Sequence, residues 1–300
     1  MKSVLITITT VIVLASCGQS YGEKQRLSKA EKEQHRKEDS LSMKVAVLPT
    51  LDCLPIYLAN DYRMFDTLNV DVHLKRFNAQ IDCDTALAKG CIEGAVTDLV
   101  RAERMQAKGT PLMYVSATNT YWQLISNRLA RVKEINQLSD KMIAMTRYSA
   151  TDYLATLAID SAKPKYDVYR IQINDVVLRL HMLLNNEMDA MLLTEPQATT
   201  ARLYKNPVLM DSRDKDIRFG VLVFRTKALK DKRRQIQLKV FIKAYNMACD
   251  SLNTKGLQHY AGLIKKYCGA DDKTIKALPK LKFEHVSVPR VKDIAIAKKG

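Results

Sequence analysis

The chain has 300 residues, 47% of them hydrophobic and 27% charged, with 48 lysines and arginines against 32 aspartates and glutamates and a formal charge of +16. That length and mix exclude a collagen-like or wholly disordered chain and leave room for one large domain or two modest lobes. A positive balance of this size suits a nucleic acid or an anionic membrane surface, but the lysines are scattered and an export signal rules out cytoplasmic nucleic acid.

Lys2 and an apolar run over residues 4–15, broken only by threonines, mark residues 1–16 as a secretory signal. The run is too short for a membrane span, which takes about 18 or more apolar residues. It ends in Leu14-Ala15-Ser16-Cys17, which resembles the bacterial lipobox, so Cys17 is expected to carry lipid. Residues 17–42 are dense in charge and almost free of large apolar side chains. Such a segment cannot offset its ordering entropy by burial and reads as a disordered tether with a reach of about 25–30 Å. The protein is therefore expected in the cell envelope, lipid-anchored on the extracytoplasmic side.

From Met43 short apolar runs alternate with helical stretches, the pattern of an α/β fold with a largely parallel sheet. Strands are expected at 44–48, 70–77 and 94–97, with helices at 53–65 and 82–89, the second stopped by Gly90. The same order recurs further on: strands at 141–145, 166–173 and 188–193, helices at 151–159 and 176–184. A strand at 219–224 then returns to the first lobe, and helices at 231–252 and 256–267 follow. The division is thus residues 43–120 and 218–300 for the first lobe and 121–217 for the second. Cys53, Cys83, Cys91, Cys249 and Cys268 are odd in number and lack metal-type spacing. They read as small buried hydrophobes, with a Cys249–Cys268 disulfide as the alternative. No cofactor and no metal are expected.

Three stretches carry a family resemblance. Leu54-Pro55-Ile56-Tyr57, running on to Phe65, is similar to the helix after the first strand in the periplasmic binding proteins for nitrate, sulfonates and thiamine-pyrimidine precursors. The phrases over 86–99 and 183–201 resemble the helix, turn and strand by which each lobe of that family ends on a cleft residue. The most specific part is Asp189-Ala190-Met191-Leu192-Leu193-Thr194-Glu195-Pro196, and residues 132–153 resemble the linker, strand and ligand-facing helix start. The resemblance implies a two-lobed periplasmic binding protein type 2 fold, each lobe a mostly parallel sheet flanked by helices, with a ligand cleft between them. It implies two crossing strands near 116–123 and 216–221, hinge closure on a small molecule, and delivery to ABC permease and ATPase subunits. A monomer that binds no nucleic acid and performs no catalysis is expected.

In open parallel sheets ligands bind beyond the carboxyl ends of the strands. The candidates there are Thr50, Asp52, Thr97, Asp98, Ser149, Thr151, Asn174 and Glu195, with Tyr57, Tyr121 and Trp122 as aromatic faces for a planar ring. Ser149 and Asp152 are spaced as a capping pair, which would fill the amides of that helix start and leave a poor anion socket. With Asp52, Asp98 and Glu195 nearby, the cleft is expected to be acidic and to suit an amine-bearing heterocycle such as a thiamine-pyrimidine precursor. The alternatives are a sulfonate, taurine or nitrate binder, a non-transport sensor lipoprotein, and a pyrimidine-synthase-like enzyme. The last is disfavoured because none of the five histidines falls on an expected cleft loop.

Overall fold

A computed structural model describes residues 41–299 together with Lys29, Glu33 and Gln34. The signal segment, Cys17 and nearly all of the expected tether lie outside the described residues.

From Ser42 onward the chain forms two five-stranded sheets. The first contains β1 (Met43–Val47), β2 (Val72–Arg76), β3 (Gly94–Asp98), β4 (Leu112–Ala117) and β10 (Gly220–Arg225), in the order β2-β1-β3-β10-β4. The second contains β5 (Gln123–Ser126), β6 (Met142–Met145), β7 (Tyr169–Gln172), β8 (Ala190–Leu193) and β9 (Val208–Asp211), in the order β7-β6-β8-β5-β9. In each, the first three strands of that order pair in parallel and the fourth runs against its neighbours. The sheets are therefore mostly parallel and alike in plan.

The central strands read as continuous apolar runs because helices cover both faces. In the second sheet the two-residue period sends Leu124, Ile143 and Leu192 into one buried cluster and Ile125, Ala144, Met191 and Leu193 into another. Helices α1 (Leu54–Asp61), α2 (Met64–Thr67), α3 (Gln80–Lys89) and α4 (Leu99–Ala107) belong to the first half. The single helix expected over 53–65 is broken at Arg63, whose φ of 53° is left-handed and cannot continue it. Gly90, at φ 79°, ends α3 in the left-handed conformation that glycine adopts without strain. Helices α5 (Ala150–Ala162), α6 (Val176–Leu184) and α7 (Gln197–Leu203) flank the second sheet. The chain ends with α8 (Lys232–Lys255), α9 (Ala261–Cys268), α10 (Asp272–Ala277) and α11 (Val291–Ala297). Cys53, Cys83, Cys91, Cys249 and Cys268 are all free thiols, and only Cys91 is exposed.

Two segments cross between the sheets, 118–122 after β4 and 212–219 after β9, and they are hydrogen-bonded to each other. The Thr118 amide donates to the Gly220 carbonyl at 2.9 Å, and the Ser212 amide donates to the Trp122 carbonyl at 2.9 Å. The Trp122 amide donates to Ser212 Oγ at 3.1 Å. At Gly220 the approach is close: a Cβ there would lie 2.2 Å from Thr118 Oγ1 and 2.3 Å from Thr120 Cγ2, so a larger residue would displace those side chains.

Candidate functional site

The carboxyl ends of β1, β2, β7 and β8 meet around a narrow interlobe cavity of about 20 Å3, lined by Leu48, Thr50, Asn78, Gln80, Trp122, Asn174, Val176, Arg179, Leu192 and Thr194. Leu48, Thr50 and Asn78 come from the loops after β1 and β2 and Gln80 opens α3, while all the rest except Trp122 belong to β8, to the loops after β7 and β8 and to α6. Of the residues expected from the sequence, Thr50, Trp122 and Asn174 stand on this wall.

Arg179 is the side chain that dominates the cavity. It is 3% exposed, Nη1 donates to the Leu192 carbonyl at 2.9 Å, and buried Nε has no partner. Burial pulls its pKa down to about 10; Asp175 acts the other way and nearby Arg101 adds to the fall. Asp175 itself caps α6, accepting from the amides of Val177 at 2.8 Å and Leu178 at 3.0 Å. A buried cation without an ion-paired carboxylate carries a desolvation penalty of several kcal/mol, roughly, which an incoming anion would offset. Gln80 Oε1 is a further buried polar atom on this wall without a partner.

The sequence contained a signal for Arg179 that residue-type reasoning passed over. Val176, Arg179, Leu180 and Leu183 are the buried residues of α6, the i, i+3, i+4, i+7 stripe of a core-facing helix. An arginine in the middle of that stripe must be buried. Arg101 of α4 has the same character, 4% exposed and paired with Asp84, with Nε unsatisfied.

The carboxylates expected to make the cleft acidic are bonded within the protein through at least one oxygen each, although Asp98 Oδ2 is buried without a partner. Asp52 accepts from Thr50 Oγ1 at 2.5 Å and from Thr118 Oγ1 at 3.3 Å, and burial raises its pKa. Glu195 is 2% exposed: Oε1 accepts from Tyr121 OH at 2.6 Å and Arg202 Nη2 at 2.7 Å, and Oε2 from the Thr199 amide at 3.0 Å. Tyr121 is covered on its ring face by the Arg213 guanidinium, 3.7 Å from the centroid. Tyr57 lies in the core of the first half, donating to the Leu48 carbonyl at 2.9 Å and stacked on Tyr267 at 4.0 Å. Thr97 is buried with Oγ1 unpartnered.

Asp98 meets the start of α5 across the lobes. Asp98 Oδ1 caps α4 through the Arg101 amide at 3.0 Å and also accepts from the Ala150 amide, at 3.0 Å, in the first turn of α5. Ser149 Oγ accepts from the Thr151 amide at 3.1 Å, and Thr151 Oγ1 accepts from the Thr146 amide at 2.9 Å. Asp152 reaches back to the Tyr148 amide at 2.8 Å, one residue before the partner the capping pair implied. The socket at this helix start is thus filled by the protein, partly by a carboxylate from the opposite lobe, while Arg147 is exposed. The lobes are further joined by Gln197 Nε2 to the Pro49 carbonyl at 2.8 Å, the Leu51 amide to the Glu195 carbonyl at 3.0 Å, and Thr120 to Thr194 at 2.9 Å.

Asp98 gives a pH signature. Its carboxyl is pushed up to about 6, first by burial, with the Arg101 charge opposing. A carboxyl raised in the fold stabilises it fully below the ordinary value of 3.8 and loses that contribution as pH rises through about 6. Asp98→Asn keeps a capping oxygen and cannot ionise. Relative to that variant, the native chain should lose up to about 3 kcal/mol between about pH 4 and pH 7. Melting temperatures of the two proteins across this range measure the difference, and parallel profiles would exclude it.

Among the described residues no three or more histidines, cysteines and acids are grouped to hold a metal, and no helix is long and apolar enough to cross a membrane. A more open hollow of about 330 Å3 is formed by the crossings and the coil 280–284, against Tyr121, Arg213, Arg218 and Tyr245.

No protein-family model matches the chain, and no curated protein is similar to it in sequence. Solved structures are similar in fold. The ligand-binding component of an ABC-type import system from Staphylococcus aureus superposes with a TM-score of 0.72 at 16% identity, over 86% of this chain and 91% of that one. The periplasmic aliphatic sulphonate binding protein of Escherichia coli gives 0.68 at 16% identity, over 86% and 84%. The periplasmic nitrate-binding protein of Synechocystis gives 0.66 at 12% identity, over 83% and 74%. The two sheets, the paired crossings and the cavity between them are therefore the periplasmic binding protein fold, with two lobes.

Proposed function

We propose that the chain is the extracytoplasmic solute-binding component of an ABC-type importer and that it captures a small acid in the interlobe cavity. The observation that carries this reading is Arg179, buried on the cavity wall without a carboxylate partner. Trp122 supplies an apolar face on the same wall, and Thr50, Thr194 and Asn174 supply hydroxyl and amide groups. Two proteins of similar fold are named for anions, an aliphatic sulphonate and nitrate, which supports the same reading. The amine-bearing heterocycle suggested by the sequence has less support, since Asp52, Asp98 and Glu195 are engaged elsewhere. Closure would present both lobes to a permease with its ATPase, and lipid on Cys17 would hold a monomeric receptor at the membrane.

Thermal-shift screening of nitrate, sulfonates, taurine, carboxylates and aminopyrimidines tests the ligand class. A ligand at about 100 times its Kd stabilises by about 2.7 kcal/mol. Stabilisation by aminopyrimidines and by none of the acids would overturn the reading. The anchor is tested separately: Cys17→Ser should move the protein from the membrane to the soluble fraction of the producing cell with ligand affinity unchanged. Continued membrane association of the variant would refute lipidation at Cys17.

A further inference from the structure

We propose that the cleft holds a second, outer subsite on Arg76, so that the preferred ligand is an organic dianion with one acidic group at Arg179 and the other at Arg76. This rests on the acid-binding reading of the inner cavity. Beyond that cavity lies an outer hollow of about 230 Å3, also lined from both lobes, and Asn78 lines both spaces. Arg76 ends β2 on the first-lobe side, and Gln197 and His181 face it from the second.

Arg76 is placed as a receptor for an acid. Its guanidinium carbon lies 5.1 Å from the centroid of the Tyr267 ring, which is itself stacked on buried Tyr57 at 4.0 Å. A guanidinium lying on a fixed aromatic ring keeps its N–H edge free for a bidentate acid. Lys266, on the same wall, is already paired with Asp61 at 2.8 Å and adds little net charge. The His181 imidazole sits on the exposed side of α6, where it adds a donor to the rim.

Gln197 is the independent sign of an occupant. It lines the outer hollow and is 2% exposed, its Nε2 donates to the Pro49 carbonyl at 2.8 Å, and its Oε1 is buried without a partner. A buried acceptor left unpaired is destabilising, and a hydroxyl or N–H between the two acidic groups of a ligand would recover that loss. The matching cations thus come one from each lobe, Arg76 from β2 and Arg179 from α6. A ligand spanning both would draw the lobes together.

Calorimetric titration of the full chain with paired probes tests this: succinate, glutarate and adipate against butyrate, valerate and hexanoate, and propanedisulfonate against propanesulfonate. At least one diacid should bind roughly tenfold or more tighter than its monoacid. Arg76→Gln should abolish that preference while leaving monoacid affinity and the melting temperature unchanged. Equal binding of mono- and diacids, or an unchanged preference in Arg76→Gln, would overturn the outer subsite alone. Binding of no acid at all would overturn it together with the reading of the inner cavity.

Discussion

Replacing Arg179 by methionine is expected to abolish acid binding while leaving the melting temperature of the unliganded protein unchanged or higher. Methionine fills a similar volume on the buried stripe of α6 and removes a guanidinium that is 3% exposed and has only the Leu192 carbonyl as a hydrogen-bond partner. Losing that bond costs about 1 kcal/mol, whereas relief of an unpaired buried charge is worth as much or more. For the ligand the balance is opposite, since truncating one side of a buried charged contact typically costs about 2–5 kcal/mol, or some 30-fold to several thousand-fold in affinity. Titration and thermal melting of the same preparation read both quantities. A variant that melts far lower yet binds as before would show that Arg179 is a structural residue.

Glu195→Ala is expected to destabilise the fold by about 3 kcal/mol, because it leaves Arg202, the Tyr121 hydroxyl and the Thr199 amide without their common acceptor. Arg202 is 28% exposed on its side chain, so water recovers part of the loss and the lower end of the buried-pair range applies. Glu195→Gln retains an oxygen for Tyr121 but not the charge facing Arg202, and should lie between the two. Denaturant unfolding of Glu195→Ala, Arg202→Met and the double variant gives the coupling. A coupling near zero would mean that the pair is idle. Reduced ligand affinity in a fully stable Glu195→Gln would restore the ligand contact that the sequence suggested.

The framework of the fold was legible because it depends on local order: β1, α3, β3, α6 and β10 all arise within a residue or two of the positions that alternation and capping imply. The short strands β5 and β9 were harder to read, since each is four residues long and belongs to the sheet only through partners distant in the chain. The site was less legible still. Thr50 and Asn174 could be placed from strand ends and Trp122 from the first crossing, but whether a carboxylate faces a ligand or a neighbour depends on contacts that sequence order hides. Asp98 meets Ala150 across 52 residues, and Tyr121 meets Glu195 across 74. Arg179 and Arg76 were passed over for opposite reasons. The first looks like one more charge on a helix unless its place on the apolar stripe is counted, and the second becomes a binding group only when α9 brings Tyr267 beneath it.

The paired crossings constrain how such a molecule can open. Two independent connectors would let the halves slide, tilt and twist, but here backbone bonds at Thr118–Gly220 and Trp122–Ser212, and the Thr118 and Thr120 side chains packed on Gly220, lace them into a single ribbon. A laced ribbon bends about one line far more easily than it shears. Separation of the jaws is thereby reduced to a swing with a single coordinate, which one pair of spectroscopic labels across the mouth would be enough to follow.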